Sequence, residues 1–443
     1  MADIFPFTAY RYNPARVSLD RVLTQPYDKI TPEMQARYYE SSPFNLIAVE
    51  KGKSFPGDTP ADNVYTRAAA KLDEWIAAGV LVRDSAPAIY VYSQDYQLPG
   101  ANRRAVRTGF IALGRIEDYS AGVVYRHEHT LAGPKADRLE LLRQTRTHTG
   151  QLFMLYADPA RRIDAMLNET ARTPALVELR DEYDVVHRLW PLTDPAKISR
   201  IVAEIADQKL IIADGHHRYE TALAYRDECR RTLGGGPDAP HEKVMMTFAN
   251  THAEGLTILP THRLIANLAS FNFSDFREHL AALFDWYAYP FTGPDERSAS
   301  LEEFRKDLVR RGRDRRAIGV YAGSGAFYLF LLRRDADLAS LLPDLSPAQR
   351  NLDVVLLHRL LLEKGLGITA DAVVKEQHIT YERESDAALA AVDAGRAQLC
   401  CLLNPVRVEQ VMEIALAGDV LPQKSTDFYP KMLSGLTLYR LDG

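Results

Sequence analysis

The segment Lys209–Tyr225, KLIIADGHHRYETALAY, restricts the fold more than any other part of the chain. Leu210, Ile211, Ile212 and Ala213 make an apolar run of strand length, and Asp214-Gly215 interrupts it. A helix follows, expected from about Tyr219 to Arg231, with Ala222, Leu223 and Tyr225 on its core face. Strand, tight turn and helix in direct succession put the turn's backbone N–H groups at a helix N-terminus. Unsatisfied N–H groups and the helix dipole both favour negative charge there.

The side chains of this turn suit phosphate. Gly215 permits a sharp bend and close backbone approach. Arg218 presents a planar fork. His216 and His217 can donate to phosphoryl oxygens or move protons. Asp214 can bind Mg2+ or accept a proton. Phosphoryl transfer uses that mixture of donors, metal ion and positioned base. A plainer reading stands beside it: Asp-Gly is a common turn, and Asp214 can simply cap the helix. Two adjacent His with Asp and Arg at one turn favour a site. A His–His metal pair is disfavoured, because adjacent residues seldom share one metal and no HExxH pattern occurs.

The rest of the chain alternates strands and helices. An irregular, Pro- and aromatic-rich opening carries a short helix at 31–39, and a longer helix covers 61–78. A hairpin is expected over 88–96 and 107–116, with Arg103, Arg104 and Arg107 in a solvated loop. Helix from Lys135, strand at 151–157 and helix at 195–206 lead to the turn. Gly234-Gly235-Gly236-Pro237 is the clearest linker. Beyond it, 243–250 reads as strand or buried helix, and helices are expected at 275–284 (N-cap Ser274) and 301–310. A hairpin over 317–321 and 326–332, an apolar helix at 354–362, a strand at 398–403 containing Cys400 and Cys401 as core, a helix at 408–417 and a strand at 436–441 complete the chain. The fold class is mixed α/β (α+β), in two domains, 1–235 and 236–443.

Lys and Arg number 54 against 59 Asp and Glu, a balance that argues against a nucleic-acid partner. Three cysteines without a CxxC pair fit neither a disulfide framework nor a cysteine zinc site. With no signal-like opening and no run long enough to span a bilayer, the expected location is the cytoplasm, with no membrane partner. No GxxxxGK[ST] loop, strand-linked GxGxxG or protein-kinase motif set is present.

Five separated pieces occur in order: FPFTAYRYNP…QPYDKI, RHEHTLAGPKADRLELL, ADGHHRYETALAY, LTILPTHRLI and LPQKSTDFYPKMLSGL. Together they resemble a large bacterial family catalogued as a domain of unknown function (DUF1015), from Phe5 almost to the end. That family in turn resembles the ParB/sulfiredoxin-like fold, which includes free-serine kinases using ADP or ATP. The resemblance implies a ParB/sulfiredoxin-like N-terminal domain and a second α+β domain completing a cleft. It also implies a pyrophosphate-dependent serine kinase: L-serine and pyrophosphate give O-phosphoserine and phosphate, with Mg2+ as cofactor. His216, His217 and Arg218 would hold the donor, Gly215 would admit it, and Asp214 would act at Mg2+ or the reacting centre. Glu128, beside His127, would be the general base. Alternatives are an ATP- or ADP-dependent serine kinase, a phosphoserine phosphatase and a ParB-like nucleotide-binding regulator.

Further polar clusters have two readings each. Lys135, Asp137 and Arg138 form a second clamp on donor or substrate, or an exposed charged helix face. His262 and Arg263 line a pocket with substrate contacts, or cap a helix. Lys424, Ser425, Thr426, Tyr429 and Lys431 belong to a polar, aromatic loop that suits a pocket, or to an ordered surface loop. Asp28 is expected to be a turn residue.

Overall fold

In the computed structural model, which describes residues 1–128 and 132–441, the run Leu210–Asp214 is a strand inside a nine-stranded sheet. Residues 129–131 of the second motif lie outside the described residues. In chain order the strands are β1 (Ile4–Phe5), β2 (Ile89–Gln97), β3 (Arg104–Arg115), β4 (Val124–Tyr125), β5 (Leu152–Tyr156), β6 (Val177–Arg180), β7 (Val186–Leu192), β8 (Leu210–Asp214) and β9 (Lys243–Asn250). Their spatial order is β4-β8-β5-β9-β3-β2-β7-β6, with β1 on β3. Among the described residues only the pairs β8–β4 and β9–β5 of this sheet are parallel. Alternate residues such as Ile89, Val91, Phe110, Met154 and Ile212 enter one core with Ile163, Leu167, Ile201 and Ile205 from two helices, as the two-residue period of a strand requires. Strand β7 escapes the sequence pattern because Pro191 interrupts it; in the structure that residue is exposed.

The chain forms two compact units. The first comprises residues 1–126, 130–257 and 430–443, and the second 127–129 and 258–429. The division therefore falls at 257–258 and not near residue 235. The glycine segment joins the helix His216–Thr232 to β9, which pairs with β5 and β3 inside the first sheet, so the chain has not yet left that unit.

The second unit is built on an antiparallel sheet of β10 (His262–Ile265), β11 (Phe284–Pro290), β12 (Ala317–Tyr321), β13 (Ala326–Leu332), β14 (Ile379–Glu382) and β15 (Leu399–Leu403), in the order β11-β13-β12-β15-β10-β14. Both faces are covered: Ile318, Val320 and Phe330 enter one core, and Ala317, Phe327 and Leu329 the other. Continuous apolar strands such as AFYLFLL follow from burial on both sides. Cys400 and Cys401 are core residues. Asn272, not Ser274, caps the helix Phe273–Leu280, accepting from the N–H groups of Ser274 and Asp275. The apolar helix near 354–362 begins as α and continues as a π-helix, Leu357–Gly365. The last strand is shorter than expected, Tyr439–Arg440, and pairs with Thr147–His148. Among the described residues no helix is long and apolar enough to cross a membrane.

Candidate functional site

The helix after β8 starts three residues before its expected point. Gly215 takes φ 95° and serves as N-cap, so His216, His217 and Arg218 form the first helical turn. A side chain at 215 would be strained by that φ and would meet Arg218 Nη2 at 3.0 Å. His216 is buried and His217 half-buried.

Asp214 ends β8 among cations. Lys431 Nζ lies 3.7 Å and Arg218 Nη2 3.6 Å from its carboxylate. Burial works against its charge, but Lys431, then Arg218, Lys29 and His216, hold its carboxyl well below the usual carboxylate range. Arg218 is anchored by Nη1, which donates to the Gln151 carbonyl at 2.5 Å. Lys431, given either a pocket loop or an ordered surface loop by the sequence, lies beside the turn. Arg107, expected in a solvated loop, is instead buried on β3. It donates to Gln94 Oε1 and the Pro430 carbonyl and stacks on Phe153 at 4.7 Å. Burial pulls its pKa down to about 10, with the charges of Tyr96, Tyr92 and Asp214 opposing.

Of the cluster after Glu128, Lys135 pairs with Glu220 at 2.7 Å. Asp137 accepts from Tyr65 and Arg138. Arg138 donates to the Glu50 carbonyl at 2.7 Å and lies over the Tyr27 ring at 4.4 Å. These residues form neither a bare surface face nor a set of uncommitted cations.

Within the second unit, His127 is fully buried, with Nε2 2.7 Å from Thr426 Oγ1. Glu128 Oε1 accepts from the Thr426 hydroxyl at 2.9 Å and its N–H at 3.2 Å. Thr426, given either a pocket loop or an ordered surface loop by the sequence, is thus the partner of Glu128. Ser425 is turned inward onto the Pro422 carbonyl, and Lys424 is exposed with φ 57°. Tyr429 lies under Arg383 at 5.6 Å.

Arg263 and His262, expected to contact substrate, are both buried in the sheet. Arg263 donates to His358 Nε2 at 3.3 Å, to the Thr261 carbonyl, and to the carbonyls of Gln423 and Lys424 at 3.3 and 3.2 Å. Each guanidinium nitrogen is engaged inside the unit, and burial pulls its pKa down to about 10. His262 Nδ1 accepts from the Leu403 N–H. Burial, with Arg263 and Arg305, pushes it down to about 4.

The residues do not fit a protein-held Mg2+. Among the described residues no three His, Cys, Asp or Glu side chains gather as ligands, and the Asp214 carboxylate faces two cations within 4 Å. Its expected role as metal ligand is therefore not supported by its surroundings.

Sequence reasoning overlooked Glu50 and Lys29. Glu50 is 3% exposed at the end of the short helix Ile47–Glu50, where its carboxylate accepts from the Thr149 hydroxyl. A carboxylate closing the apolar run Leu46–Val49, immediately before Lys51, was the available signal.

A sequence model of the family described as a protein of unknown function (DUF1015) matches residues 4–355. No curated protein matches the chain. Among solved structures it is similar to a conserved hypothetical protein from Pyrococcus furiosus (11% identity, 72% of this chain and 93% of that one, TM-score 0.33). A free serine kinase in complex with AMP (11%, 71% and 89%, TM-score 0.34) and SbnI with C-terminal truncation from Staphylococcus aureus (10%, 74% and 87%, TM-score 0.33) are similar at the same level.

Proposed function

We propose, on the premise that this chain belongs to the DUF1015 family, that it transfers a phosphoryl group from pyrophosphate to free L-serine. The observation that carries the reading is the gathering of cations at the β8–helix turn, where Lys431 Nζ and Arg218 Nη2 stand 3.7 and 3.6 Å from the Asp214 carboxylate. Such a cluster, at a helix N-terminus opened by a glycine, suits a compact polyanion. The acceptor and the donor come from the resemblance of the five sequence motifs.

In this reading the serine Oγ bonds to one phosphorus as the bridging P–O bond breaks, and orthophosphate leaves. The hydroxyl proton passes to Glu128, the base that the resemblance assigns, and then to the departing phosphate. Arg218, Lys431 and the N-terminal N–H groups neutralise charge on the transferred group, and Asp214 keeps those cations in place. Mg2+ enters as the magnesium complex of pyrophosphate, part of the substrate.

Purified protein incubated with Mg2+ and L-serine plus pyrophosphate, ATP, ADP or no donor tests the reading, with O-phosphoserine read by mass spectrometry. Phosphoserine with pyrophosphate alone is expected. Product with ATP or ADP alone would transfer the assignment to a nucleotide-dependent kinase, and none with any donor would reject it.

A further inference from the structure

Lys431 stands on a stretch without regular secondary structure: residues 431–433 belong to no helix or strand, and Met432 and Leu433 are buried. Buried backbone groups outside helices and sheets must find their partners among side chains. Three carbonyls of this stretch do so. That of Pro430 accepts from Arg107 Nη2, that of Lys431 from Gln94 Nε2 at 2.8 Å, and that of Leu433 from Gln151 Nε2 at 3.1 Å. Arg107, Gln94 and Gln151 are all buried in the first unit.

Gln94 and Arg107 lie directly opposite each other on β2 and β3. Gln94 Oε1 accepts from Arg107 Nε at 3.1 Å and from Nη2, which leaves Nε2 to serve Lys431. A guanidinium only donates and a carbonyl only accepts, so a residue set between them must accept at one end and donate at the other. The amide of Gln94 does both; an ionised Glu would lack the donor and a Lys the acceptor. Arg107 in turn lies over the ring of Phe153, whose strand partner on β8 is Asp214. Contacts thus run from the neighbour of Asp214, through Arg107 and Gln94, to the backbone that carries Lys431. Gln151 joins the second cation to the same frame. Its side chain holds Leu433 and its main-chain carbonyl holds Arg218 Nη1.

We infer that Gln94, backed by Arg107, and Gln151 are positioning residues that set where the Lys431 ammonium stands, and thereby set affinity for the phosphoryl donor. The inference rests on the reading of the β8–helix turn as the donor site. None of the three touches the donor in this assignment; each acts through the root of Lys431. A lysine is a point charge on a flexible four-carbon stem, so its placement is only as good as the backbone beneath it.

The test is a double-mutant cycle on the full chain, read as affinity for magnesium pyrophosphate by calorimetry, beside the phosphoserine assay and urea denaturation. Lys431→Ala should weaken pyrophosphate binding by about 10- to 100-fold, the loss of a charge-assisted contact. Gln94→Leu should weaken it by about 10-fold in the unaltered background and by less than about twofold once Lys431 is Ala. Its effect on the urea midpoint should be the same in both backgrounds, because a bond that only holds the fold is indifferent to the lysine side chain. Should Gln94→Leu fail to fold, Gln151→Met, which keeps the main-chain carbonyl for Arg218, carries the same expectation. A loss of affinity that persists in full without the Lys431 side chain overturns the positioning and leaves the donor site standing. So does unchanged affinity in the folded Gln94 or Gln151 variants while Lys431→Ala weakens binding. Lys431→Ala without effect, or no pyrophosphate binding to the unaltered protein, rejects the donor-site reading and the inference with it. A cycle that runs through Lys431 with no phosphoserine formed supports the positioning and rejects transfer to serine.

Discussion

Arg218 in the first unit and Arg263 in the second are both guanidiniums withdrawn from solvent, but their surroundings differ in kind. Arg263 is 1% exposed and spends its donors on His358 and three backbone carbonyls. Arg218 gives one nitrogen to the Gln151 carbonyl, stands 3.6 Å from Asp214, and keeps Nε unbonded beside a cavity. A buried polar group whose bonds are all made within the chain is a device for holding segments together. One with capacity left over is a device for holding something else. Sequence alone had given these two arginines the same kind of task.

Substitutions can break that contrast. The largest effect is expected at Glu128, which is tied to Thr426 and carries the base role in the proposal: Glu128→Gln should lower kcat by about 10^2- to 10^4-fold with the urea midpoint unchanged. Near-normal turnover would remove the role. Arg218→Ala should lower kcat/KM for pyrophosphate by about 10^2- to 10^3-fold, an effect larger than the stability lost with the bond to the Gln151 carbonyl. Arg263→Leu should do the reverse. It strands the carbonyls of Thr261, Gln423 and Lys424, and should cost about 3 kcal/mol of unfolding free energy, read by urea denaturation. If Arg263→Leu kept its stability and lost activity selectively, the two arginines would belong to one class after all.

Much of this arrangement could be read in the sequence where a local rule governs it. The apolar run before Asp214-Gly215, the hairpin around Gly323 to Gly325 and the helix behind Pro195 are each fixed by a few neighbouring residues. Arrangements that depend on distant partners were not legible. Arg107 sits in a polar, arginine-rich stretch and looks solvated, but on β3 it points to Gln94 and the Pro430 carbonyl, 323 residues on. Arg263 looks like pocket material until the carbonyls of Gln423 and Lys424 meet it. The unit boundary was missed for a related reason. Glycines mark a loop, but only strand pairing tells whether the next strand returns to the same sheet.

The smallest effect separates the same two regions by acid. Arg263 Nε donates to His358 Nε2, so that nitrogen must be unprotonated. Burial and Arg263 push His358 down to about 3, and His262 to about 4. Both folded values lie below the unfolded histidine value of about 6.5. Between the two, the unfolded chain binds protons that the folded chain refuses, so stability is complete above about pH 6.5 and is lost as the pH falls toward the folded values. Asp214 is also depressed, but from the carboxylate range, so its contribution persists until well below pH 4. From about pH 6.5 to 5 each of the two histidines should therefore cost about 2 kcal/mol, while the Asp214 carboxylate stays ionised. His148 in the first unit, pushed down to about 4 by burial, adds a slope of the same sign, so the contrast is read by substitution. His262→Gln should remove close to one proton's worth of slope from a plot of urea midpoint against pH between 5 and 6.5, and Asp214→Asn should leave the slope in that window as it was. A slope indifferent to His262 and sensitive to Asp214 would invert the assignment, placing the acid-labile charge network at the turn and not behind Arg263.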